Sequence, residues 1–268
     1  MSGETSPRLR SVSSRHNALV KELRRALTRG EPTPDGCCAI ESLRLVEEAI
    51  RSGLRFRALF FAQSADGAAR RLLPQIGARV DTLLLPDAVF ASAVATESPQ
   101  GVAALVHVPP RTLEDALRPP PPLLLVAAGI QDPGNLGTMI RSAEAFGASG
   151  VLLGEKTVSA FNPKAVRASA GSFFRLPVVS VRLAELCPEL ARRGLRLVAA
   201  ASHRGTPLDQ AGLKGSLALF VGNEGAGLPG DLLAYMDEVV EVPHSARVES
   251  LNAAVAASIL LYEASRTR

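Results

Sequence analysis

Apolar positions along the chain follow two alternating rhythms, one of period near four and one of short continuous runs. In 12–29 (VSSRHNALVKELRRALTR) Leu19, Leu23 and Leu27 stand four apart with basic residues between them. That spacing predicts a short amphipathic helix, and Gly30, Pro32 and Pro34 end it. Strands are then expected at Cys38–Ile40, Ala58–Ala62, Val80–Leu85 and Val102–Val108, with helices at Glu41–Arg51, Gly67–Gln75 and Asp87–Ala95 between them. This alternation describes a compact α/β unit.

Residues 109–122 (PPRTLEDALRPPPP) hold six prolines around a short helical patch. Proline tracts are stiff and lack amide donors, so a linker is expected here. Beyond it strands are expected at Leu123–Ala128, Gly150–Leu153, Leu176–Val181, Leu195–Ala200, Ser216–Val221 and Glu238–Val242. Helices at Asn135–Phe146, Pro163–Ala170, Leu183–Arg193, Gly230–Met236 and Leu251–Ser265 separate or follow them. Short, apolar strands of this kind belong in a parallel sheet covered on both faces. The expected organisation is a basic helical arm (1–30), a small α/β domain (31–108), the linker (109–122) and a second α/β domain (123–268).

Composition narrows the function. With 47% apolar and 21% charged residues, the 268-residue chain is globular in type. It has no apolar run of the ~20 residues a membrane span needs, and its start lacks a signal peptide's apolar stretch, so a soluble cytoplasmic protein is expected. Cys37 and Cys38 are adjacent and Cys187 is distant, which gives neither a CxxC pair nor a disulfide framework. His16, His107, His203 and His244 stand singly without metal-ligand spacing, and no metal is expected. The net charge of +4 is local: residues 1–30 carry seven basic side chains against two acidic ones. Such an arm fits nucleic-acid phosphates, or is simply the solvated face of an amphipathic helix. With nine Phe, two Tyr and no Trp, a base-stacking surface is not expected.

Three loops at the ends of expected strands gather the unusual residues, where open α/β sheets bind ligands. The first, Gln131–Arg141, puts Asn135 near a helix start, as a cap or as a site residue. Arg141 falls six positions on, off the face of Asn135 in a regular helix unless Asn135 lies outside the first turn. The second, Phe220–Gly230, contains a literal GxGxxG at Gly225–Gly230, but too little chain follows for a dinucleotide-binding fold, and a nicotinamide dehydrogenase is the weaker reading. The third, Val242–Asn252, leads into an alanine-rich helix suited to core packing or a subunit interface. Ser250 there can be an ordinary N-cap, and His244 reads as a packing residue.

Together, DPGNLGTMIRSAEAFGA (Asp132–Ala148), GNEGAGL (Gly222–Leu228) and VPHSARVESLNAAVAA (Val242–Ala257) resemble the three motifs of the SpoU (TrmH-type) branch of the SPOUT RNA methyltransferases, in the same order and spacing. The segment RASAGSFFRLPV (Arg167–Val178) is also similar to that family, and 36–108 resembles the L30e-like substrate-binding domain often found ahead of it. The chain departs from the family where Met and Gly are common in place of His244 and Ala246, and where Ala253 replaces a usual Val.

The resemblance implies a parallel sheet with a deep trefoil knot, S-adenosylmethionine as methyl donor, a homodimer formed through the C-terminal domain, and 2′-O-ribose methylation of RNA, ribosomal RNA ahead of tRNA. It implies that Gly222, Val242 and Leu251 meet the donor, with Gly227 and Ala201 nearby and the glycines letting backbone reach the ligand. It matches Asn135, Arg141, Glu224, Ser250 and Asn252 to the family's polar catalytic positions. A non-catalytic RNA-binding or ribosome-associated protein on the same fold is the alternative.

Overall fold

The computed structural model describes residues 9–118, 120–223 and 225–266. Two compact units emerge, 1–109 with 161–174, and 110–160 with 175–268.

In the first unit β1 (Arg10–Ser11) precedes α1 (Ala18–Arg29). The helix starts later than the apolar spacing predicts because Asn17 caps it, its side chain accepting from the Leu19 and Val20 amides. Gly30 ends it at φ +65°, a left-handed conformation that costs glycine little. Val20, Leu23, Ala26 and Leu27 are buried, and β1 pairs with a strand of the sheet. Residues 10–29 are therefore not a free arm: they pair with the sheet and supply the domain's own core. The sheet is completed by β2 (Cys37–Glu41), β3 (Arg55–Ala62), β4 (Asp81–Leu85) and β5 (Val102–His107), in the order β1-β4-β3-β5-β2. Between these strands run α2 (Leu43–Arg51), α3 (Asp66–Leu72) and α4 (Asp87–Ala91). The β1–β4 and β4–β3 pairs are parallel, and β5 runs antiparallel to both β3 and β2. All three cysteines are buried free thiols, and burial pushes the Cys38 thiol up to about 12.

In the second unit the expected linker is partly ordered structure. Thr112 and Asp115 form a reciprocal capping box on α5 (Leu113–Ala116), and Ala116 is buried in the core. Next come β6 (Leu123–Ala127), α6 (Pro133–Ala145) and β7 (Gly150–Leu153). Phe161–Phe174, which carries α7 (Pro163–Ala168), then packs with the first unit rather than with the expected 123–268 domain. The chain returns through α8 (Ser172–Arg175) to β8 (Val178–Ser180), α9 (Leu183–Arg192), β9 (Arg196–Ala201), β10 (Thr206–Pro207), β11 (Leu217–Val221), α10 (Gly230–Leu233), β12 (Glu238–Glu241) and α11 (Ala253–Arg266).

Its seven strands pair in parallel in the order β10-β12-β9-β11-β6-β7-β8. Every residue of β6 and β11 is buried, as central strands of a covered parallel sheet must be. The chain path positions the site. After stepping outward through β7 and β8, the chain crosses to lay down β9 and β10, then returns to place β11 between β9 and β6 and β12 between β10 and β9. The carboxyl ends of β12, β9 and β11 thus lie side by side. The alanine-rich face of α11 is spent inside the subunit: Ala253, Ala254, Ala257, Leu260, Leu261 and Ala264 are buried, and the helix packs on α6 and β11. Of the two roles the alanine-rich run allowed, core packing takes these residues.

Candidate active site

At those three carboxyl ends lies a cavity of about 100 Å³, lined in part by Ala200 and Ala201 closing β9, Val221 and Gly222 at the end of β11, and Val240 and Val242 at the end of β12. Ser250, Leu251, Ala253 and Ala256 bring the start of α11 to the same wall. Its position is the one open α/β sheets use for ligands. The five positions matched to a donor, Ala201, Gly222, Gly227, Val242 and Leu251, all line this one cavity. Small side chains and free backbone dominate the wall, which suits a flat, polar-edged ligand held by main-chain groups.

Asn223 builds the loop after β11. Its Oδ1 accepts from the Gly225 and Ala226 amides at 3.0 and 3.1 Å, and its Nδ2 donates to the Gly129 carbonyl at 3.1 Å. Asn223 and Gly227 also exchange backbone hydrogen bonds. Gly222 is required for a reason other than ligand approach: a Cβ there would collide with the Gly227 backbone, so the loop's own closure demands glycine. Gly227 sits at φ +65°, the left-handed region. Glu224 lies outside the described residues.

The first-loop expectation needs correction. Asp132, not Asn135, caps α6, accepting from the Asn135 amide at 2.9 Å, and Asn135 is the third residue of the helix. Being inside the first turn, Asn135 lies about 120° around the helix from Arg141 at roughly 100° per residue. Asn135 turns instead toward α11, where its Oδ1 accepts from Asn252 Nδ2 at 2.9 Å. A second link, Ser142 to Ser258 at 2.7 Å, joins the same helices two turns further on, so α6 and α11 run in the same direction. Asn252, not Ser250, caps α11, accepting from the Ala254 and Val255 amides. Ser250 is exposed on the cavity rim. Arg141 is exposed, and its guanidinium makes no hydrogen bond or ion pair among the described residues.

Two features were not expected from the sequence. His244 lines the cavity, its ring stacked on His203 at 5.3 Å between centroids. Far from this cavity in sequence, strand pairing sets Cys37 opposite His107, and with Asp35 their ligand atoms lie within 4.8 Å of one another. Arg57 bonds the Asp35 carboxylate, and the Cys37 sulfur stands 3.5 and 3.7 Å from the two His107 ring nitrogens, so neither lone pair is aimed at it. Asn223 could have been found from its place between Gly222 and Glu224 in the GNEG run; the Cys37–His107 meeting carries no local signal.

Residues 122–262 match the SpoU rRNA Methylase family, and residues 17–104 match the MRM3-like substrate binding domain. The chain is 37% identical over 254 residues to the Bacillus subtilis 23S rRNA (guanosine(2553)-2'-O)-methyltransferase RlmP, covering 95% of this chain and 98% of that one. Among solved structures it resembles the SpoU methyltransferase AviRb from Streptomyces viridochromogenes in complex with AdoMet, with a TM-score of 0.83 and 29% identity over 94% of this chain and 98% of the other. An AdoMet-bound rRNA methyltransferase from Sinorhizobium meliloti gives 0.83 and 27%, covering 97% and 98%. No described helix is long and apolar enough to cross a membrane.

Proposed function

The chain belongs to the SpoU rRNA methylase family, and on that premise we propose that it is an S-adenosylmethionine-dependent RNA 2′-O-ribose methyltransferase with its donor in the cavity at the ends of β9, β11 and β12. The observation that carries this reading is the convergence of Ala201, Gly222, Gly227, Val242 and Leu251 on that one cavity. When bound, the donor supplies an electrophilic methyl group on a sulfonium.

The chain's own task is to aim a weakly acidic ribose hydroxyl, and positioning of this kind is worth roughly 7–11 kcal/mol in favourable cases. Arg141 is free to do so, because its exposed guanidinium is held by no described group. A guanidinium holds its protons strongly and is a poor base. Its part is a two-point grip on the neighbouring phosphate and stabilisation of the developing alkoxide, with proton loss late. Asn135 is held by Asn252, the neighbour of the cavity-lining Ser250 and Leu251; Asn135 and Glu224 are assigned to orient Arg141, and Ser250 and Asn252 to shape the pocket.

Ribosomal RNA is the substrate this reading favours over tRNA, with the first unit gripping it. Further proposals are a homodimer through the second unit, a trefoil knot in its backbone, work in the cytoplasm and a reaction that needs no metal.

Arg141→Ala tests the assignment by single-turnover methyl transfer to ribosomal RNA from a strain lacking the gene. A loss of about 10²–10³ in rate with unchanged donor affinity by calorimetry is expected, the usual effect of deleting one preorganised electrostatic donor. Arg141→Lys should recover little, since an ammonium cannot make the planar two-point contact. Wild-type rates in both variants would remove Arg141 from catalysis. If the unaltered protein binds donor but modifies no RNA, the non-catalytic scaffold is left.

A further inference from the structure

We infer that Arg204 and Arg247 hold the RNA backbone beside the donor cavity, each gripping a phosphate group. This rests on the reading of the chain as an RNA methyltransferase with its donor at the ends of β9, β11 and β12.

The arginines of the second unit divide by place. Arg175, Arg182, Arg192, Arg193, Arg196 and Arg266 are in ion pairs with carboxylates. Arg111 and Arg118 lie within electrostatic reach of Asp115. The remaining described ones, Arg141, Arg204 and Arg247, make no hydrogen bond or ion pair through the guanidinium among the described residues. Arg141 already has a part in catalysis. Arg204 and Arg247 stand on the two loops that border the cavity: Arg204 follows the lining residues Ala201 and Ser202, and Arg247 falls between the lining residues His244 and Ser250. Cations left uncompensated beside a site that takes a polyanion are where phosphate contacts belong. A guanidinium also suits the donor's carboxylate. Neither arginine lines the cavity, however, and both are exposed, which places the anion they meet outside it.

The two loops are fixed to each other and to the sheet. His203 stacks on His244 with 26° between ring planes. The Gly205 amide donates to the Glu241 carboxylate at 3.1 Å, and a Cβ on Gly205 would collide with the β12 backbone at Val240 and Glu241. Arg204, caught between these anchors, has φ +64°, the left-handed region that a side chain occupies only at a cost. Glycine would meet that backbone demand without strain, so arginine is the costlier residue for the fold at 204. Its presence is accounted for by what its charge meets. Loops fixed in advance also spare the ordering cost when the RNA arrives.

Filter binding of the full-length protein to ribosomal RNA from a strain lacking the gene tests this over a salt series. Arg204→Gln and Arg247→Gln should each weaken binding and reduce the slope of log affinity against log salt by about 0.7–0.9, one phosphate contact apiece. Arg204→Lys should keep most of the slope, since counterion release follows charge. Arg192→Gln, which removes a charge already paired with Glu189, should leave the slope unmoved. An unmoved slope in either of the first two variants, or an equal fall in Arg192→Gln, would overturn the inference. So would weaker binding of S-adenosylhomocysteine in either variant by calorimetry, which would give that arginine to the donor's carboxylate. Failure of the unaltered protein to bind or methylate the RNA would instead strike the methyltransferase reading. Fold and function separate at one position. Arg204→Gly should keep or raise the urea midpoint, because glycine is relaxed at this φ, while losing the same RNA contact. A midpoint that falls together with RNA binding would make Arg204 a structural residue and sink the idea.

Discussion

The Asn252 side chain divides its two ends between two helices: Oδ1 caps α11 through the Ala254 and Val255 amides, and Nδ2 donates to Asn135 on α6. The two contacts separate under substitution. Asn252→Ala should lose the cap, about 1 kcal/mol of stability by urea unfolding, whereas Asn252→Asp should stay near the unaltered protein because a carboxylate caps as well as an amide. Both remove the Nδ2 donor that holds Asn135, so both should lower kcat for methyl transfer with little change in donor affinity. A kcat that tracks stability alone, recovering fully in Asn252→Asp, would make Asn252 a cap and nothing more. Which polar residues the motifs bring together was legible in the sequence as a set. Which of them bond was not: Asn135 and Asn252 are 117 positions apart, and local spacing says nothing of their meeting.

At the scale of elements, α1 shows how one helix serves core and surface at once. Its inward face buries Val20, Leu23, Ala26 and Leu27, while Lys21, Arg25 and Arg29 repeat every four residues on the exposed side. The sequence showed the stripe of leucines and the basic residues between them, but not that a two-residue strand, β1, would tie the segment into the sheet. A strand that short carries no periodicity to read. Removing residues 1–30 would therefore strip core from the first unit and test folding instead of RNA capture. The sharper variant replaces Lys21, Arg25 and Arg29 with Gln. It should keep the urea midpoint of the unaltered protein, weaken binding to ribosomal RNA and flatten the salt dependence of that binding by up to about three phosphate contacts. An identical salt slope in filter binding would move RNA capture off this face.

For the whole molecule, the assembly prediction now rests on what α11 leaves outside. Its alanines are buried against α6 and β11, but Val255 and Tyr262 remain 48% and 50% exposed. Light scattering should give about twice the chain mass of 28.1 kDa at micromolar concentration, and Val255→Asp should shift the population toward monomer, since a carboxylate cannot be buried unpaired in a contact. A single-chain mass for the unaltered protein would refute the dimer. The sequence by itself determined six of the seven strands of the second unit, all but the two-residue β10, to within two residues at each end, because short buried β-branched and leucine runs bounded by glycine and proline are local signals. It also determined the chemistry offered, through three polar, glycine-containing loops in fixed order. Tertiary structure alone decided that 161–174 would pack with the first unit, that Cys37 would face His107, and that β11 and β12 would enter slots left beside β9. Strand order is set by which buried faces and edges fit one another. That is a competition among contacts far apart along the chain, and no hydrophobic pattern within a segment records its outcome.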